Sequence, residues 1–164
     1  MSNVLHNPLE LPANLPVPLD DGAARHLVGM AWPGVALPAT DGRSVDLAGA
    51  RGCTPQSCGF RDHFAELKGL GVSALYGLST QTREDQHEVA TRLHLPFALL
   101  SDARLELQQA LRLPTFSVDG MTLLKRLTMV LDDGIITKVF YPVFPPDRSA
   151  AEVVAWLRAS TDAP

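Results

Sequence analysis

Apolar residues recur with two different spacings along the chain, and the changes between them predict its elements. Val35 to Leu37 and Ser44 to Leu47 are short strand runs flanking Asp41 and Gly42, a pair suited to a tight turn, so an N-terminal hairpin is expected. Thr54 followed by Pro55 reads as a helix start, with Thr as cap and Pro in the first turn. Phe60, Phe64 and Leu67 then share one helical face, and Gly69 and Gly71 stop a helix spanning about residues 55 to 69. Val72 to Leu78 reads as a buried strand, and Thr82 with Asp85 opens a helix to about Leu93. Phe97 to Leu100 predicts a second buried strand, and Asp102 begins a short helix to about Leu111, ended by Pro114. Two longer strands, Leu123 to Leu131 and Ile135 to Tyr141, are joined by the turn signal Asp132-Asp133-Gly134 and are expected to pair antiparallel. Ser149 and Glu152 form a capping box before a helix whose apolar face is Val153, Val154, Trp156 and Leu157.

This alternation implies an α/β fold, a mixed sheet with helices on both faces. Residues 1 to 24 carry Pro8, Pro12, Pro16 and Pro18 without either period and read as an extended arm. Residues 25 to 160 then form the domain and 161 to 164 a tail. There is no internal repeat. With 164 residues, 46% of them apolar and 20% charged, the chain has material for one core and little for a second. A formal net charge of -4 provides no basic field for a phosphate backbone, which argues against nucleic acid. No apolar run approaches the roughly 20 residues of a membrane helix, and the first ten residues lack a secretory pattern, so a cytoplasmic protein is expected.

Chemistry centres on the two cysteines. Cys53 falls just before the predicted helix start, where free N–H groups and the helix dipole favour a thiolate. Arg51 and Arg61 would lower its pKa further if they point inward. Cys58 lies five residues on, and in an unbroken helix about 7.5 Å of rise and about 140° of rotation would separate the two. A disulfide between them would then require the first turn or two to unwind. The alternatives are that both are small buried hydrophobes, or that Cys58 and His63 belong to a zinc site, for which only the distant His87 and His94 remain as ligands. These histidines, together with Trp32 and Trp156, read more simply as solvated or packed side chains. The aromatic and proline-rich stretch from Phe140 to Pro146 reads as a loop packed on the core.

The segment Gly52-Cys53-Thr54-Pro55-Gln56-Ser57-Cys58-Gly59-Phe60-Arg61-Asp62 resembles the active-site segment of peroxiredoxins of the PrxQ, or bacterioferritin comigratory protein, group. Gly77-Leu78-Ser79, Phe97-Ala98-Leu99-Leu100-Ser101-Asp102, and Arg126 six residues before Asp132 are similar to that group's later landmarks, in the same order. The resemblance covers about residues 27 to 158 and implies a thioredoxin-like fold without cofactor or metal. It implies reduction of hydrogen peroxide and organic hydroperoxides, with recycling by thioredoxin or a similar dithiol. Under it, Cys53 is the peroxidatic cysteine, Cys58 resolves its sulfenic acid as a disulfide, Thr54 binds substrate, and Arg126 holds the thiolate and stabilises the departing oxygen. A resolving cysteine this close makes a partner subunit unnecessary, so a monomer is expected.

In one segment the chain departs from the group. Relatives place a strand before the active-site helix, with a Pro and a Thr seven and three residues ahead of the peroxidatic cysteine. Asp46 and Ala50 stand at those positions, and only five residues separate Leu47 from Cys53. The strand is thus expected to be missing or replaced, either by Val45 to Ala48 or by a gap in the sheet. The second functional reading follows: a redoxin-like thiol sensor or binding protein without turnover, or an inactive shortened form.

Overall fold

The computed structural model describes residues 18–47, 52–53, 57–144 and 148–162. After a single 3-10 turn at Arg25–Leu27, the chain forms β1 (Leu37–Pro38) and β2 (Ser44–Val45), the expected hairpin. Its turn is closed by the Asp41 carboxylate accepting from the Arg43 N–H at 3.0 Å, with Gly42 at a φ of 88° that favours glycine. Then follow β3 (Gly52–Cys53), α1 (Ser57–Asp62), α2 (Phe64–Gly69), β4 (Gly77–Ser79), α3 (Arg83–Arg92), β5 (Leu99–Ser101) and α4 (Glu106–Leu111). The remaining elements are β6 (Thr115–Val118), β7 (Met121–Leu124), β8 (Thr128–Asp132), β9 (Ile135–Phe140) and α5 (Ser149–Asp162).

Alternation along the strands builds two cores. On β5, Leu99 packs with Phe60, Leu67, Leu75, Phe97 and Val153, while Leu100 packs on the opposite face with Leu27, Leu107, Leu111 and Met129. On β8, Val130 faces the first group and Met129 and Leu131 the second. Helices α1, α2 and α5 therefore cover one face of the strands and α4 the other, as the α/β pattern predicts.

Polar groups fix the helix ends. Thr82 Oγ1 accepts from the Asp85 N–H at 3.3 Å and starts α3 as expected. Asp102, only 1% exposed, accepts from the N–H groups of Leu107 and Gln108 at 3.0 and 2.8 Å and organises the entry to α4. Burial pushes its carboxyl pKa upward, against the backbone hydrogen bonds that pull it down. The expected Ser149 and Glu152 box does not set the start of α5. Ser149 is buried and its hydroxyl meets Thr128 Oγ1 at 3.1 Å, because the helix docks against the start of β8.

Several expected boundaries change. The predicted helix over 55–69 is two short helices meeting at His63, whose ring Nδ1 lies 3.1 Å from Glu66. Thr54 and Pro55, its predicted start, lie outside the described residues, as does most of the N-terminal arm. The predicted strand over Val72 to Leu78 narrows to β4 at Gly77–Ser79, and that over Phe97 to Leu100 shifts to β5 at Leu99–Ser101. The long strand expected from Leu123 to Leu131 is two strands of different ladders. β7 turns back on β6 through Asp119 and Gly120, whose φ values of 49° and 76° define a tight hairpin turn, and β8 starts afresh at Thr128.

Among the described residues the strands form four ladders: β1 with β2, β3 with β8 and β9, β4 with β5, and β6 with β7. β4 and β5 run parallel, and β8 and β9 antiparallel as expected. An isolated bridge from Ala39 to Leu100 ties the N-terminal hairpin to β5. The missing strand is replaced, but not by Val45, which stays paired with Leu37. Gly52 and Cys53 take that role, pairing antiparallel with Leu131 and Val130. Two residues cannot span a sheet, and no ladder among the described residues joins β4 to β8.

Candidate active site

Cys53 is the second residue of β3. Its backbone is in register with Val130, and α1 begins at Ser57, so the chain passes from strand to helix between the two cysteines. Cys58 is the second residue of α1. β8 takes Gly52 and Cys53 into its ladder, because edge N–H and C=O groups are satisfied most cheaply by another strand.

A groove of about 380 Å3 lies between Gly71 and Val72, which lead toward β4, and Val130 and Leu131 of β8, under Trp156 and Leu157 of α5.

Arg126 lies two residues before β8 and four before the ladder partner of Cys53, on the same chain segment. It is exposed, and its side chain has no hydrogen-bond or ion-pair partner among the described residues. Its backbone is held more firmly. The Arg126 C=O accepts from the Val143 N–H at 3.4 Å, and the preceding Lys125 N–H donates to Pro114 at 2.8 Å. A free guanidinium on an anchored backbone is available to an incoming anion or to charge developing on oxygen.

Arg61 is directed elsewhere. It donates to the Leu93 C=O at 2.9 Å and to Asp62 at 3.1 Å, bracing α1 against the end of α3, which removes it as a neighbour of the thiolate. Arg51 and Thr54 lie outside the described residues. The histidines are dispersed. His63 meets Glu66, His87 lies 3.3 Å from the Thr40 C=O, and His94 follows α3 with a φ of 51°. Of the 140–146 stretch, Phe140 packs edge-on to Trp156 with ring centres 6.3 Å apart, and Val143 is buried.

Sequence reasoning missed one feature beside Arg126. Asp21 accepts from Lys125 Nζ at 3.0 Å and from the Tyr141 hydroxyl at 2.9 Å, joining three segments. With an Ala23 N–H as the largest contributor, these bonds hold the Asp21 pKa down to about 2. Sequence separations of 104 and 120 residues leave no local signal for such a cluster.

A cysteine-bearing strand followed by a helix, with parallel and antiparallel ladders covered by helices on both faces, is the layout of a redoxin-type protein. The Redoxin family profile matches residues 15–155, and the chain belongs to that family. Within it, the chain falls in the peroxiredoxin Q and bacterioferritin comigratory protein group. It is 28% identical to the chloroplastic peroxiredoxin Q of Oryza sativa subsp. japonica, over 90% of this chain and 76% of that protein. It is 33% identical to peroxiredoxin bcp1 of Schizosaccharomyces pombe over 49% of each chain. The crystal structure of peroxidoxin BcpB from Mycobacterium tuberculosis superposes with a TM-score of 0.70 at 24% identity, covering 80% of this chain and 96% of that one. The bacterioferritin comigratory protein of Xanthomonas campestris gives 0.67 at 19% identity, over 78% and 92%. These likenesses establish the thioredoxin-like peroxiredoxin fold, despite the shortened strand.

Proposed function

We propose that Cys53 is the peroxidatic residue of this thiol peroxidase, that Cys58 resolves it, and that Arg126 assists the first step. The observation that carries the reading is the register of β3 on β8, with Cys53 opposite Val130 and Cys58 in the first turn of the helix that follows. In the first step the Cys53 thiolate attacks one peroxide oxygen and the O–O bond breaks. The departing hydroxide or alkoxide takes a proton, and Cys53 is left as a sulfenic acid. The Arg126 guanidinium supplies positive charge to the departing oxygen, and Thr54 contacts the substrate. Cys58 sulfur then attacks the sulfenic sulfur, releasing water and forming a disulfide. Cys53 lies on β3 and Cys58 on α1, so closure has to bring a strand residue and a helix residue together and distorts α1 around Cys58.

Thioredoxin or a similar dithiol restores both thiols. Both cysteines come from one chain, which fits a monomer. No described helix is long and apolar enough to cross a membrane, and a reducing cytoplasm would supply the dithiol. The second reading, a thiol sensor without turnover, is favoured by Asp46 and Ala50 standing where relatives carry the Pro and Thr of the peroxide pocket. A coupled assay separates the two. With thioredoxin, its reductase and NADPH, the full chain should consume NADPH continuously when hydrogen peroxide is added, and Cys53→Ser should not. Oxidation of one equivalent without sustained consumption would support the sensor.

A further inference from the structure

We infer that Asp21 is a positioning residue for Arg126, stapling the segment that carries it to the segment that binds its backbone C=O. This rests on the reading of Arg126 as the assisting cation. The Arg126 peptide is anchored from two sides, through Lys125 to Pro114 and through the Arg126 C=O to Val143. Asp21 ties the segment that carries Arg126 to the segment of Val143 by side chain. One carboxylate oxygen takes Lys125 Nζ, from the residue preceding Arg126, and the other takes the hydroxyl of Tyr141, two residues before Val143. The second oxygen also accepts the Ala23 N–H at 3.0 Å, which fixes the carboxylate to its own turn.

That turn is itself tied down. Ala24 and Leu27 are buried with Leu131 and Ile136, and the Gly29 N–H donates to Ile136 at 2.7 Å. Asp21 is therefore held by the core side of β8 and β9, not by a free arm. The Lys125 ammonium pairs with the Asp21 carboxylate, and the adjacent Arg126 guanidinium has no ion-pair partner among the described residues. Being exposed, the bridge contributes little to global stability, so its effect is expected in placement.

The experiment uses the reduced full chain and follows two reactions of Cys53: oxidation by hydrogen peroxide, which needs Arg126, and alkylation by iodoacetamide, which reports only the thiolate. Asp21→Ala should slow the peroxide reaction about tenfold, less than the roughly hundredfold that a 1 Å misplacement can cost, and slow alkylation by a much smaller factor. Tyr141→Phe, which removes one arm of the staple, should slow the same reaction by a smaller factor. In an Arg126→Ala background, Asp21→Ala should add no further slowing, because the positioned group is gone. Parent-like peroxide rates in Asp21→Ala, equal slowing in both backgrounds, or a matching fall in alkylation would each overturn the inference. If Arg126→Ala alone keeps the parent rate, the reading of Arg126 fails first, and the role of Asp21 falls with it.

Discussion

Replacing Gly77 by Ala tests how closely the parallel pair β4 and β5 is packed beside the shortened sheet. A Cβ at position 77 would stand 2.3 Å from Leu99 Cδ2 and 3.6 Å from Leu99 Cγ, against 3.4 to 4 Å for ordinary contact. The Leu99 methyl must retreat by about 1 Å or more, yet Leu99 is only 7% exposed and packs with Leu75, Phe97 and Val153. Overpacking of this kind costs about 1 to 3 kcal/mol. Gly77 has no left-handed φ, so Ala also gains about 0.4 to 1 kcal/mol by restricting the unfolded chain. The net expectation is a loss of about 1 to 2 kcal/mol, or roughly 3 to 6 °C in Tm for a domain of this size. Urea unfolding of the reduced protein, with unchanged slope, reads it directly. Combining Gly77→Ala with Leu99→Ala should cost less than the two single losses added, by about 1 kcal/mol, since the second change removes the clash. An unshifted or raised midpoint for Gly77→Ala, or strict additivity in the pair, would refute this account of the packing.

Other consequences can be checked in the same way. Asp102 has a raised pKa in the folded state, so it binds its proton more tightly folded than unfolded, and its contribution to stability falls as pH rises from the ordinary aspartate value of 3.8 into the range just above. The difference in unfolding free energy between the parent and Asp102→Asn should therefore change with pH across that range and level off above it. A difference that stays flat through acid pH contradicts the assignment. Asp102→Ala removes both backbone partners at the entry to α4 and should cost about 1 to 2 kcal/mol at neutral pH by urea midpoint. Gly120→Ala meets no atom within 4 Å, so its cost should be conformational alone, about 1 kcal/mol, from the positive φ of 76°. A neutral Gly120→Ala would mean that the β6–β7 turn is not the one described.

The parts of the fold that were legible are those with a local cause. Thr82 before α3, Asp102 before α4 and the Asp133-Gly134 turn each act within a few residues. α3 and the β8–β9 turn form where their signals lie, whereas α4 starts four residues later than expected, at Glu106, because Asp102 accepts from the Leu107 and Gln108 N–H groups. The β6–β7 hairpin was equally legible in principle, since Asp119-Gly120 is the same kind of turn signal. The apolar pattern hides it, because Leu123, Leu124 and Leu127 continue across Lys125 and Arg126. What could not be read is what tertiary partners decide. Gly52 and Cys53 have no strand pattern of their own and become one because β8 offers an edge. Ser149 trades a capping role for Thr128, and Arg61 leaves the cysteine for Leu93. The chemistry of the two cysteines was visible in the motif, whereas the staple around Arg126, built from residues over 100 positions apart, was not.

The central claim is that two-cysteine chemistry survives on a two-residue strand. Its most direct test is the intact mass of the reduced chain before and after one equivalent of hydrogen peroxide, with Cys53→Ser and Cys58→Ser beside it. The account predicts loss of two hydrogens in the parent, one added oxygen on Cys58→Ser, and no change in Cys53→Ser. An unchanged parent mass, or oxidation that persists in Cys53→Ser, would contradict it.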